Sequence, residues 1–286
     1  MSSKAFIVTG ASRGIGLAVA KHLLKTPGNK VVAISRSLDE LLLLKDQFPT
    51  QVEVLAEDMT QPEASQKATQ LAISKFGRLD GVVINHGALS PMTRLADASV
   101  EEWKRLYDVN LFSALALVKE TIPHLRATKG SMVFVSSGAA INAYTSWGAG
   151  TYYTWLELRG LPGSRGGTKP VPQQDIEPSA NYGSSKAALN SLARHVAVEE
   201  PNILAVAISP GRVDTGMQKE LRDKGGAAMA EKDYAGFVSA FEGGTLNKPE
   251  WPAAVIANLA VGMDPKLSGQ YFSWNAVELA SYQEKN

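Results

Sequence analysis

The stretch Asn181-Tyr182-Gly183-Ser184-Ser185-Lys186 sets a phenol and an amine in the spacing Tyr-x-x-x-Lys. On a helix that spacing puts both side chains on one face, about one turn apart. Leu189, Leu192, Ala193 and Val196 follow at helical intervals, which predicts a helix carrying the pair. An ammonium beside a phenol favours the phenolate and makes the phenol a better proton donor, so the pair suits general-acid work. Alone, the spacing also fits a Tyr and a Lys on the surface of an amphipathic helix.

A second group points to a phosphate. Ala5-Phe6-Ile7-Val8 is an apolar run of the buried-strand type, and Thr9-Gly10-Ala11-Ser12-Arg13-Gly14-Ile15-Gly16 follows at once. Ile15, Val19 and Leu23 then recur at helical spacing. In a strand–turn–helix, glycines let the backbone approach a phosphate and the helix N-terminus stabilises its charge. A plain tight turn would use glycine too, so the position between strand and helix is what favours a dinucleotide site.

Composition narrows the classes. The chain has 286 residues, is 44% hydrophobic and carries a formal net charge of +1. That is enough apolar material for a large core, and too little charge to attract nucleic acid or an anionic membrane. No apolar run has the length of a membrane span, and the start Met1-Ser2-Ser3-Lys4 leaves no room for a signal peptide. Cysteine is absent, and His22, His86, His124 and His195 are scattered, so no metal site is expected. A cytoplasmic protein is the expectation.

The elements that must position these groups alternate along the chain. Strands are predicted at Val31–Ile34, Val52–Ala56, Leu79–Ile84, Ser131–Val135, Leu204–Ile208 and Gln270–Phe272, with helices between them. Thr60 and Glu63 have capping-box spacing at the head of one helix. A single long helix is expected from Glu101 to about Leu125, with Leu111, Leu115, Val118 and Ile122 on its inner face. Such alternation specifies a parallel sheet of about seven strands with helices on both faces. Ligands bind such sheets beyond the carboxyl ends of the strands. Gly10 to Gly16, Arg36, Asp58, Asn85, Ser137 and Pro210-Gly211 all fall at those ends. One stretch breaks the rhythm. From about 148 to 180 the chain is rich in Gly, Pro and polar residues, and reads as a mobile excursion, a lid over a pocket, or translated intron sequence in an otherwise single domain.

With these residues assembled, the chain resembles the short-chain dehydrogenases/reductases over nearly its whole length. The motifs are Thr9-Gly10-x-x-x-Gly14-x-Gly16, Asn85-His86-Gly87, Asn110, Ser137, Tyr182-x-x-x-Lys186 and Pro210-Gly211. Trp103–Asn110, Val133–Gly138 and Val213-Asp214-Thr215-Gly216-Met217 look most like the fungal benzil-reductase branch, related to sepiapterin reductases. Two departures stand out. The family's usual Asn-Asn-Ala-Gly reads Asn-His-Gly here, and Ser137 lies much further from Tyr182 than the family's short connection.

The resemblance implies a Rossmann-type doubly wound fold and an oxidoreductase acting on a small ketone or dicarbonyl. It implies that Tyr182 protonates the carbonyl oxygen and that Lys186 lowers the Tyr pKa and holds the nicotinamide ribose. Ser137 would position the substrate oxygen, and Asn110 would support a water linking Lys186 to solvent. It also implies a cofactor site of Gly10, Ser12, Arg13, Gly14, Ile15, Gly16, Arg36, Asp58, Asn85, Gly87, Asn110, Tyr182, Lys186, Pro210, Gly211, Val213 and Thr215. A homodimer through the helices Glu101–Leu125 and Tyr182–Glu199 is expected as well. Ile34-Ser35-Arg36 places no carboxylate at the second strand end, and Arg13 adds a second cation, so NADP(H) is expected over NAD(H). A dinucleotide-binding regulator without turnover remains the other reading of the same fold.

Overall fold

The computed structural model describes residues 3–141 and 180–284. The stretch expected to break the rhythm, 148–180, lies outside the described residues but for its last residue. Seven parallel strands form one sheet in the order β3-β2-β1-β4-β5-β6-β7. They are β1 Ala5–Thr9, β2 Lys30–Ser35, β3 Val52–Ala56, β4 Gly81–Ile84, β5 Ser131–Val135, β6 Leu204–Ser209 and β7 Tyr271–Ser273. The strand order reverses between β1 and β4, and there a doubly wound sheet opens a crevice at its carboxyl edge.

Alternation along each strand fills two layers. Phe6, Val8, Val31, Ala33, Val133 and Val206 point to one face, where they meet α1 (Gly14–Leu24) and α9 (Glu250–Val261). Ile7, Val32, Ile34, Met132, Phe134 and Ala207 point to the other face. Ala64 and Ala68 of α3 (Ala64–Phe76), Leu117 of α5 (Ser113–Thr128) and Leu189 of α6 (Ala180–Glu199) cover it. Among the described residues no helix is long and apolar enough to cross a membrane.

Three local expectations are corrected. The long helix is broken into α4 (Val100–Tyr107), a π-helical turn over Asp108–Phe112, and α5. Its inner face is Ala114, Leu117, Val118, Thr121 and Leu125, while Leu115 is 47% exposed. Apolar side chains surround most of this helix, so periodicity did not single out the buried side. The capping box at Thr60 does not form. The Asp58 carboxylate accepts from the Thr60 hydroxyl at 2.8 Å and its amide at 2.9 Å, and α3 begins only at Ala64. Finally, α2 (Leu38–Gln47) was foreseen, but α7 (Gly216–Lys224) and α8 (Glu231–Glu242) were not.

Candidate active site

The turn after β1 is built so that only glycine fits. Gly10 has φ +65°, and a Cβ on Gly16 would stand 2.2 Å from the Gly10 carbonyl oxygen. The Asn85 amide fixes the turn from β4, donating to Thr9 O at 3.0 Å and Gly10 O at 3.2 Å. Within α1 the Leu17 amide reaches Arg13 O at 3.3 Å, and among the described residues no side chain caps the helix start. Gly14 and Ile15, at the head of this helix, line a cleft of about 480 Å³. Such a cradle fits the phosphates of a nicotinamide dinucleotide, because N–H groups and the helix dipole both favour an anion.

Most of the expected site lines that cleft. Gly10, Ser12, Arg13, Gly14 and Ile15 come from the turn, and Arg36 and Asp58 from the ends of β2 and β3. Asn85 and Gly87 follow β4; Tyr182 and Lys186 come from α6; Pro210 and Thr215 follow β6. The hydrogen bonds from Thr60 hold the Asp58 carboxyl below its ordinary range, with a smaller contribution from Arg36. Gly16 works from behind the turn. Asn110 is 1% exposed and also sits behind the wall, where a Cβ on Gly87 would lie 3.1 Å from its Oδ1 and 3.4 Å from Lys186 Nζ.

The π turn aims Asn110 inward, a use such single bulges often serve. Its Oδ1 accepts from Ala88 N at 2.8 Å, and its Nδ2 donates to Ala88 O and to Ser185 Oγ, both at 3.0 Å. His86 clamps the same turn. Its Nε2 lies 2.8 Å from Ser113 Oγ and its Nδ1 lies 2.7 Å from Thr9 Oγ1. Ser113 Oγ donates its one proton to Val109 O at 2.7 Å, so a neutral His86 donates to it from Nε2, and Nδ1 then competes with Val83 O, 3.2 Å from Thr9 Oγ1, for the Thr9 hydroxyl proton. Burial, helped by the charge of Lys186, pulls the His86 pKa down to about 4 and keeps the ring neutral.

Tyr182 and Lys186 do share one helix face, and both are almost fully buried. Lys186 Nζ donates to Val135 O at 2.8 Å and lies 5.9 Å from the centre of the Tyr182 ring. Burial lowers the Lys186 pKa to about 8. Burial also pushes the Tyr182 phenol up to about 12, with a hydrogen bond to Ser137 opposing the rise. The expected depression of the phenol by Lys186 is therefore corrected. The ammonium is spent on a carbonyl, and desolvation of the phenolate decides the direction.

Ser137 follows β5, and its Oγ accepts from Ala139 N at 3.1 Å. It faces a second cavity of about 150 Å³ that shares Tyr182, Ser136 and Thr215 with the cleft. Gly211 and Val213 line this smaller cavity rather than the cleft, as do Gln218, Leu221 and Phe237, while Met217 lines both. Gln218 and Phe237 escaped the sequence reading because α7 and α8 did. One signal was available: Thr215-x-x-Gln218 has capping-box spacing, and Thr215 Oγ1 does accept from Gln218 N at 3.4 Å.

Comparison with known proteins agrees with this geometry. A family model described as "short chain dehydrogenase" matches residues 4–152 and 164–226. An uncharacterised oxidoreductase of Schizosaccharomyces pombe is 38% identical, over 96% of this chain and 98% of that protein. A benzil reductase ((S)-benzoin forming) of Saccharomyces cerevisiae is 33% identical, over 98% of this chain and 99% of that protein. The solved structure of a short-chain dehydrogenase/reductase from Saccharomyces cerevisiae superposes with a TM-score of 0.86 at 32% identity, covering 99% of this chain and 100% of that one.

Proposed function

The chain belongs to the short-chain dehydrogenase family, and from that premise we propose that it is an NADPH-dependent carbonyl reductase acting on a small ketone or dicarbonyl. The observation that carries the reading is a buried, protonated phenol, Tyr182, bonded to Ser137 where the dinucleotide cleft meets the smaller cavity. A reduced nicotinamide held in the cleft would supply hydride to the carbonyl carbon. The chain must then supply a proton to the oxygen. A phenol of pKa about 12 stays protonated at neutral pH and is still far more acidic than the alkoxide it would protonate. Ser137 donates to the same oxygen, holding it against Tyr182 as its charge grows. Lys186 brings a positive charge beside the phenol, and Asn110, fixed by Ala88 and Ser185, supports the water through which Lys186 recovers protons from solvent.

The charges at the far end of the cleft support NADPH. Arg36 and Arg13 are exposed on its rim, whereas Asp39 does not line it, and Glu57 is paired with Lys67. A guanidinium binds a 2′-phosphate bidentately and gains little from a hydroxyl. The benzil reductase relative supports a dicarbonyl substrate. Phe112, Leu115 and Val198, exposed on the π turn, α5 and α6, support pairing of two copies through these helices. A monomer in sedimentation at micromolar concentration would refute that pairing. For the cofactor, kcat/KM should favour NADPH over NADH by about tenfold or more, and Arg36→Ala should remove most of that preference by raising KM for NADPH. Equal kcat/KM for the two cofactors in the unmodified protein would defeat this assignment.

A further inference from the structure

The chain leaves β6 through Pro210-Gly211 and enters α7, where the Thr215 cap fixes the backbone of Gln218. Gln218 and Leu221 lie one turn apart and both face inward; Gln218 is 6% exposed. Its Nε2 is buried and has no hydrogen-bond partner among the described residues. Buried amides are nearly always paired, so an orphan of this kind asks for an explanation. Gln218 lines the same small cavity as Ser137 and Tyr182. Met217, Val213, Leu221 and Phe237 give the cavity an apolar side, and Ser136, Ser209, Arg212 and Thr215 also line it. Ser136 Oγ is also buried and unpaired among the described residues, but Ser136 borders the dinucleotide cleft as well. Gln218 borders the smaller cavity alone.

Two of the cavity's polar groups suit one small ligand. Ser137 and Tyr182 make the first, and the Gln218 amide makes the second. A simple ketone has one oxygen and answers only the first. We infer that Gln218 is a specificity-determining residue, donating from Nε2 to a second oxygen next to the reacting carbonyl. The substrate class is then a vicinal dicarbonyl with an apolar flank against Met217 and Phe237. This rests on the carbonyl-reductase reading, in which Ser137 and Tyr182 take the first oxygen. A pocket built to bond an acceptor discriminates against the analogue that lacks it, because the pocket's own polar group then stays unpaired.

The test compares 1-phenylpropane-1,2-dione with propiophenone and phenylacetone, each of which keeps one of its two carbonyls. Turnover with NADPH is measured alongside calorimetric binding to the NADP⁺-loaded protein, for the unmodified protein, Gln218→Leu and Gln218→Glu. Both variants should lower kcat/KM for the dione about tenfold, the worth of one hydrogen bond, and weaken its binding by the same factor. Both monoketones should stay within about twofold. The leucine variant should keep or raise Tm, because it removes an unpaired buried amide. An equal loss on dione and monoketones, no loss on the dione, or a fall in Tm would overturn the assignment. If the dione binds more tightly than the monoketones through Gln218 but is never reduced, the assignment stands and the reductase reading fails. If the unmodified protein binds all three alike, the assignment fails whatever the turnover.

Discussion

Lys186 is a cation taken out of water with a single carbonyl, among the described residues, to hold it, and its pKa falls from 10.5 to about 8. The consequence is a pH-dependent stability. Below pH 8 the folded chain carries the buried ammonium and the penalty is complete. Between about 8 and 10.5 the folded chain has lost that proton while the unfolded chain keeps it, so stability rises with pH across that window. The full gain is on the order of 3 kcal/mol. Chemical denaturation of the unliganded protein from pH 7.5 to 10 should show this rise, and Lys186→Met should abolish it. A Lys186→Met profile parallel to that of the unmodified protein would contradict the burial argument. The Tyr-x-x-x-Lys pair was legible in the sequence because helical period alone brings the two side chains together. The direction of the Tyr182 shift was not legible. It depends on enclosure by α6, β5 and α7, and on Lys186 turning to Val135, which spacing does not encode.

Among the elements, the π turn over Asp108–Phe112 matters most, because it presents Asn110 and is pinned by His86. His86 stands where the family usually has Asn, and burial keeps its ring neutral. Its folded pKa of about 4 lies below the ordinary 6.5, so between these values the unfolded chain holds the extra proton. Stability should therefore fall as pH drops from 6.5 towards 4. His86→Asn should flatten that part of the profile relative to the unmodified protein, read by thermal unfolding. An unchanged slope would show that the imidazole is not held neutral. The strands were legible as apolar runs, since parallel strands are buried on both faces. The π turn was not, because one extra residue in a helix changes neither composition nor period enough to be seen. The helices α7 and α8 were hidden because α7 is mostly polar and a Gly225-Gly226 break stands between them.

At the scale of the whole molecule, the chain's alternation of strand and helix was enough to foresee the parallel sheet and the edge where the site lies. Right-handed crossovers leave few other ways to assemble it. The strand order β3-β2-β1-β4-β5-β6-β7 then sets the Gly10–Gly16 turn next to Asn85, and Ser137 next to Tyr182 across the β5 and α6 ends. Which loops wall the smaller cavity was beyond reach, because loop side chains follow no period. The central claim is that this edge performs proton transfer to a carbonyl oxygen rather than merely holding a dinucleotide. Steady-state reduction of 1-phenylpropane-1,2-dione by NADPH, run with the unmodified protein and with Tyr182→Phe, tests it most directly. Hydroxyketone should form in step with NADPH consumed. In the Phe variant kcat should fall by about 10² or more, with NADPH binding by fluorescence titration unchanged. Near-normal turnover in the Phe variant, or cofactor binding without turnover in the unmodified protein across a panel of dicarbonyls, would contradict it.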